Sequence, residues 1–258
     1  VQNFAANVAL AVGASPIMAN YAEEAADLAK LGGSLVINMG TVTPEGLKNH
    51  VQALQAYNAA GGPVVLDPVG YDCSLPLSLP PFFIYTHFHF PLYPFFKQNH
   101  SSANTSVVSA SSAGATSIRR NAVKTLLSSG HFTIIKGNER EIQTVYGTSV
   151  TQRGVDSSSS LTIPQRASVA KALARRTGAV VILTGKTDVL SDGSRTLRVD
   201  NGHEFLGQVT GTGCTLGTTV SAMVAAFRSD PLIAALAGMV LFEIELVRAS
   251  FSDFVFVA

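Results

Sequence analysis

The stretch VTGTGCTLGT at 209–218 sets alternating glycine and threonine ahead of a cysteine, with small residues following. A glycine turn that opens a helix leaves backbone N–H groups without intrahelical acceptors, beside the positive end of the helix dipole. That combination holds phosphate. Gly211 and Gly213 would let the backbone approach an anion closely. Cys214 would then stand on the rim of an anion hole, where the dipole is expected to depress a thiol's pKa. A thiolate there could take the proton of a substrate hydroxyl, beside donors that stabilise a phosphoryl group in transfer.

Further groups fall where an open parallel sheet gathers its ligands, beyond the carboxyl ends of strands. Asp67 closes VVLD; Lys136, Asn138 and Glu141 follow TII; Thr184 and Gly185 follow VIL. Asp67 and Glu141 could hold Mg2+, directly or through water. Each group also has an ordinary structural role. Gly-x-Gly before a helix can be only a tight turn, and a free cysteine is commonly a small buried residue. Asp67 before Pro68 can cap a turn. Glu141 can be a solvated first-turn acid, and Lys136 can lay its stem along apolar surface. The residues alone leave these roles and phosphoryl transfer to an alcohol both open.

The elements that must position these groups are legible. SLVINMG (34–40) is a short apolar run ending in glycine, a buried strand. The helix after it has Thr43 as N-cap, Pro44 at its first position and Glu45 in its first turn, with Leu47, Val51, Leu54 and Asn58 on one face. Gly61 and Gly62 stop it, and PVVLDPVG (63–70) is the next strand. A strand, helix and strand within so short a span imply a parallel pair with a crossover helix. HFTIIKGN (131–138) and AVVILTG (179–185) repeat the strand pattern, with a helix from SVAKALARRTGA between them, closed by Gly178. Asp192-Gly193 and Asn201-Gly202 are turn signals between β-prone runs, so a small antiparallel addition is expected. From Cys214 to Phe227 small and apolar residues suit a closely packed helix. The fold class is α/β: a three-layer α/β/α sandwich with a mostly parallel central sheet.

Composition narrows the function. In 258 residues the formal charge is +1, which gives no reason to expect nucleic acid or an anionic membrane as partner. Two cysteines, Cys73 and Cys214, make neither a disulfide framework nor a metal spacing, and reduced thiols point to an intracellular, cytoplasmic setting. No basic segment followed by an apolar one suggests a signal peptide. The apolar run 232–241 is too short for a bilayer and precedes Glu243 and Glu245, so it reads as a buried helix.

One stretch, 72–113, departs from the rest. From Cys73 to Ile118 the one charged residue is Lys97, and the opening CSLPLSLPPFFIYTHFHFPLYPFF is dense in proline and aromatics. Prolines at that density exclude a regular helix or central strand, so the stretch reads as a disordered insert foreign to the fold.

Across most of its length the chain resembles the hydroxyethylthiazole kinase family of the thiamine pathway, within the ribokinase-like superfold. The stretches that carry the likeness are NFAANVALAVGASPIM (3–18), EEAADLA (23–29), DPVG (67–70), KGNEREI (136–142), LTGKTDVL (183–190) and VTGTGCTLG (209–217). Related ribokinase-like enzymes usually carry an acid after the glycine turn; this family carries cysteine. The resemblance implies ATP- and Mg2+-dependent phosphorylation of the hydroxyl of 4-methyl-5-(2-hydroxyethyl)thiazole. It makes Cys214 the catalytic base and sets Met18 and Gly211 against the thiazole. It assigns ATP to Lys136, Asn138, Thr184 and Gly213, and Mg2+ to Asp67 and Glu141. It implies a homotrimer with active sites between subunits. In fungi and plants the module often stands beside a thiamine-phosphate synthase half, so the chain is read as one kinase domain, in one form the kinase part of a fungal bifunctional protein. The family usually has arginine where Lys136 stands, and lysine loses the bidentate fork on phosphate. The family also begins with a strand ahead of NFAAN, which a chain starting at Val1 is expected to lack. Two alternatives follow: a kinase for another small alcohol such as hydroxymethylpyrimidine, and an inactive chain that only binds nucleotide or thiazole.

Overall fold

The computed structural model describes residues 2–19, 21–40, 43–69, 117–147, 161–202, 206 and 211–251. The atypical stretch 72–113 lies outside them. The chain runs through α1 (Gln2–Ala11) and α2 (Ala25–Lys30) into β1 (Leu35–Asn38). Helix α3 (Pro44–Ala59) starts at its expected cap, with the Thr43 hydroxyl oxygen accepting from the Gly46 N–H at 3.0 Å. Its face buries Leu54, with Leu47 and Val51 packed at the edge of the core. Asn58, on the same face, instead exchanges two hydrogen bonds with the His131 backbone, 2.9 and 2.7 Å, and so pins a distant loop. Strand β2 (Val64–Asp67) follows.

Helix α4 (Ser117–Ser129) leads into β3 (Ile134–Asn138), α5 (Glu139–Tyr146), α6 (Ile163–Thr177) and β4 (Val180–Thr184). Helix α6 begins earlier than SVAKALARRTGA suggests, because Thr162 and Gln165 form a capping box around Pro164; it ends as expected at Gly178, φ 71°. Strands β5 (Asp188–Ser191) and β6 (Thr196–Val199) make the antiparallel addition, and α7 (Thr212–Ala226) and α8 (Pro231–Phe251) complete the described chain.

The six strands lie in sequence order, β1 to β4 parallel and β5 and β6 antiparallel. Alternation along the strands sends side chains to two cores. Ile37, Leu66, Ile135, Val181 and Leu183 pack with α3 to α6 on one face. Val65, Ile134, Val180 and Ile182 pack with α7 and α8 on the other. This is the expected three-layer sandwich. The apolar run in α8 is buried through Leu232, Ala234, Ala235 and Met239, and no helix among the described residues is long and apolar enough to cross a membrane. Register sets Asn38 level with Asp67 and Asn138 level with Thr184, so the polar strand ends share one edge of the sheet.

Candidate active site

Four side chains from three strands and one helix start meet in a buried cluster. Asp67 is 0% exposed and Lys136 3%. The Lys136 ammonium donates to Asp67 Oδ1 at 3.1 Å and to the Gly213 carbonyl at 2.9 Å. Asn38 Nδ2 donates to Asp67 Oδ2 at 3.1 Å, while its own carbonyl accepts from the Gly40 N–H at 3.0 Å, which fixes the amide's orientation. Cys214, 7% exposed, stands beside Asp67 and Asn38, and both side chains act on its thiol. Lys136 therefore does not lie along the surface, and Asp67 caps no turn with its side chain.

The close approach of α7 depends on glycine. A Cβ on Gly213 would fall 3.0 Å from Lys136 Nζ, and one on Gly217 would meet Asp67 Oδ2 at 3.7 Å. Gly211 begins the helix at φ 96°, a left-handed conformation glycine adopts without strain. The helix dipole favours an anion in front of that first turn, while the ammonium beneath it is paired with Asp67.

Glu141 lies on the far side of Lys136. It is buried, not a solvated acid, and its Oε2 accepts from the Asn138 N–H at 2.9 Å while Asn138 Oδ1 accepts from the Glu141 N–H at 2.9 Å. This capping box starts α5 and folds the carboxylate back against Gly137, where a Cβ would lie 2.9 Å from Glu141 Cβ. Asn138 thus has a structural role in addition to the one expected of it. Thr184 ends β4 beside it, partly exposed. Met18 stands in the coil after α1, 46% exposed. Gly211 lies next to α1, with Phe4 Cδ1 3.8 Å from where its Cβ would be.

The electrostatics correct one expectation. The Cys214 thiol is not depressed: burial, and then the negative charge of Asp67, push it up, against a smaller lowering by Asn38 and Lys136. Burial also raises the Asp67 carboxyl, despite Lys136. Burial works against the Lys136 ammonium, but Asp67 and Glu141 outweigh it and keep it charged. At rest the proton stays on sulfur, with the Asp67 carboxyl beside it.

Among the described residues no three His, Cys, Asp or Glu side chains converge as a closed metal cage. Mg2+ in phosphoryl-transfer sites needs only one or two carboxylates, the rest of its shell being water and phosphate. Asp67 and Glu141 would supply those carboxylates, with water between, since Asp67 already accepts from Lys136 and Asn38.

A sequence profile of the hydroxyethylthiazole kinase family matches residues 1–75 and 95–252. The chain belongs to the hydroxyethylthiazole kinase family. It is 35% identical over 251 residues to a hydroxyethylthiazole kinase of Pyrococcus furiosus, covering 97% of this chain and 77% of that one. It is 34% identical to a probable thiamine biosynthetic bifunctional enzyme of Schizosaccharomyces pombe over 94% of this chain, and spans 38% of that longer protein. Among solved structures, a hydroxyethylthiazole kinase from Pyrococcus horikoshii OT3 superimposes with a TM-score of 0.71 at 31% identity, covering 98% of this chain and 78% of that chain. A ribokinase-like superfamily protein from Enterococcus faecalis, 12% identical, shares the fold at a TM-score of 0.51, covering 89% of this chain and 60% of its own. The family profile omits 76–94, inside the atypical stretch.

Three residues of this region were not singled out from sequence. Asn38 carried a weak signal, a polar residue closing a buried strand. Arg166 occupies a core-facing position of α6, in line with Ala170 and Leu173. Glu243 gave only the end of an apolar run.

Proposed function

We propose that the chain phosphorylates the hydroxyl of 4-methyl-5-(2-hydroxyethyl)thiazole with ATP and Mg2+, in thiamine biosynthesis. The observation that carries this reading is the Cys214 thiol at the start of α7, set beside Asp67 in the same turn as Gly211 and Gly213. The first turn of α7 is the anion hole for the phosphoryl group in transfer, and Lys136 holds that turn from beneath through the Gly213 carbonyl. Cys214 is the base. Its proton has an acceptor in Asp67, whose carboxyl is itself held up by burial, so that the sulfur can receive the alcohol's proton as attack proceeds. Mg2+, held through water by Asp67 and Glu141, would neutralise charge on the ATP phosphates. Thr184 and Asn138, on adjacent strand ends, bind the nucleotide with Gly213, and Met18 and Gly211 border the thiazole. The working form is a cytoplasmic homotrimer, which light scattering of the purified chain tests.

The decisive experiment is product formation by mass spectrometry with ATP, Mg2+ and hydroxyethylthiazole, run with the full chain and with the chain lacking 72–113. Thiazole phosphate is expected from at least the shortened chain. Phosphate ester from hydroxymethylpyrimidine instead, or none from either chain, would overturn the reading.

A further inference from the structure

The turn 184–187, between β4 and β5, is held by two devices beneath it. Arg166, buried on α6, donates from Nη1 to the Thr187 carbonyl at 2.6 Å and from Nη2 to the Thr184 carbonyl at 3.0 Å. Gly185 is packed so closely on this guanidinium that a Cβ would collide with it. Asp188, at the start of β5, accepts from the Gly185 N–H at 2.7 Å. Asp188 is buried, and Glu243 of α8 lies close enough to act on its carboxyl.

Glu243 is 3% exposed, and among the described residues its Oε2 has no hydrogen-bond partner. A carboxylate charge there would sit beside a second carboxylate with nothing to stabilise it, so the pair holds one proton. Burial, and then Asp188, push Glu243 up to about 9, while Asp188 faces Arg166 and Asp200.

We propose that Arg166, Asp188 and Glu243 are positioning residues for the nucleotide, with Glu243 a neutral acid that donates to Asp188 and ties α8 to the turn carrying Thr184. The inference rests on the nucleotide role given to Thr184 above. Loss of the shared proton sets two carboxylates against each other, loosens Asp188 from Gly185 and releases the turn. Glutamine at 243 would keep the donor and remove the titration.

The test measures ATP affinity calorimetrically, with Mg2+, near pH 7 and near pH 10, alongside hydrogen exchange of 183–188 without nucleotide. Wild type is expected to lose affinity by about fivefold or more at the higher pH, the size of one lost hydrogen bond. Glu243→Gln is expected to keep it within about twofold, and Glu243→Ala to be weak at both. Exchange of 183–188 should quicken in Glu243→Ala and be restored in Glu243→Gln. Equal exchange in all three chains, or an affinity for ATP in Glu243→Gln that falls with pH as in wild type, would overturn the inference. Quickened exchange in a chain that binds no ATP would support the brace and sink only the kinase reading.

Discussion

Lys136 Nζ lies 3.1 Å from Asp67 Oδ1 with both side chains shut away from solvent, beneath a helix whose facing residues are Gly213 and Gly217. Removing one partner of such a pair leaves an uncompensated buried charge, whereas removing both does not. Lys136→Met is expected to cost about 3–5 kcal/mol of stability, and the double change Lys136→Met/Asp67→Asn clearly less. Urea unfolding of the two variants decides it. A single change costing under about 1 kcal/mol would mean that the pair is not sealed in solution.

Cys214 sits among groups that hold its proton on sulfur. With ATP and alcohol saturating, kcat is therefore expected to climb with pH, above the ordinary carboxylate range, as Asp67 ionises and becomes free to take the thiol's proton. Cys214→Ala should lower kcat by about 100-fold or more, the size of a lost general base, and abolish the climb while ATP affinity changes little. A variant profile that still rises with wild-type amplitude would remove Cys214 as the base.

The two glycines on the inner face of α7 should respond differently to a methyl group. On Gly213 it would press to 3.0 Å on an ammonium held by hydrogen bonds to Asp67 and the Gly213 carbonyl; on Gly217 it would make ordinary contacts of 3.7 and 3.9 Å. Gly217→Ala is expected to be neutral or to gain up to about 1 kcal/mol through helix propensity. Gly213→Ala should lose that gain and reduce turnover by displacing Lys136 from the carbonyl it holds. Thermal melts and turnover of both variants are the measurement, and equal behaviour would argue against the packing described.

These contacts show where sequence reading succeeds and where it stops. Caps, glycine stops and short apolar runs are local, so α3 could be placed from Thr43 and Pro44, and β5 and β6 from Asp192-Gly193. Strand ends gather ligands in any open sheet, so Asp67, Glu141 and Cys214 could be grouped before they were seen together. The pKa of Cys214 could not be read that way, because the helix start is local whereas burial and Asp67, which lies far away in the chain, come only with folding. Arg166 and Glu243 were illegible for the same reason. A charged residue in an apolar stripe looks like noise until the carbonyl or carboxylate it meets is known.

Glu243 also makes stability depend on pH in a definite direction. Its folded pKa, about 9, stands far above the 4.5 of a free glutamate, so between those values the folded chain binds one proton more than the unfolded one. Its contribution is complete below the lower value, falls as pH rises through the window, and is spent above the upper. Glu243→Gln removes that slope while keeping a donor for Asp188. Melting temperatures followed from about pH 5 to about pH 9 should therefore fall less in Glu243→Gln, leaving it higher by about 2 °C or more at the alkaline end. Asp67 and Cys214 titrate alike in both chains, so the difference isolates the Asp188–Glu243 pair. Parallel curves would show that the acid is ionised in the fold, and that Asp188 is held by Gly185 and Arg166 alone.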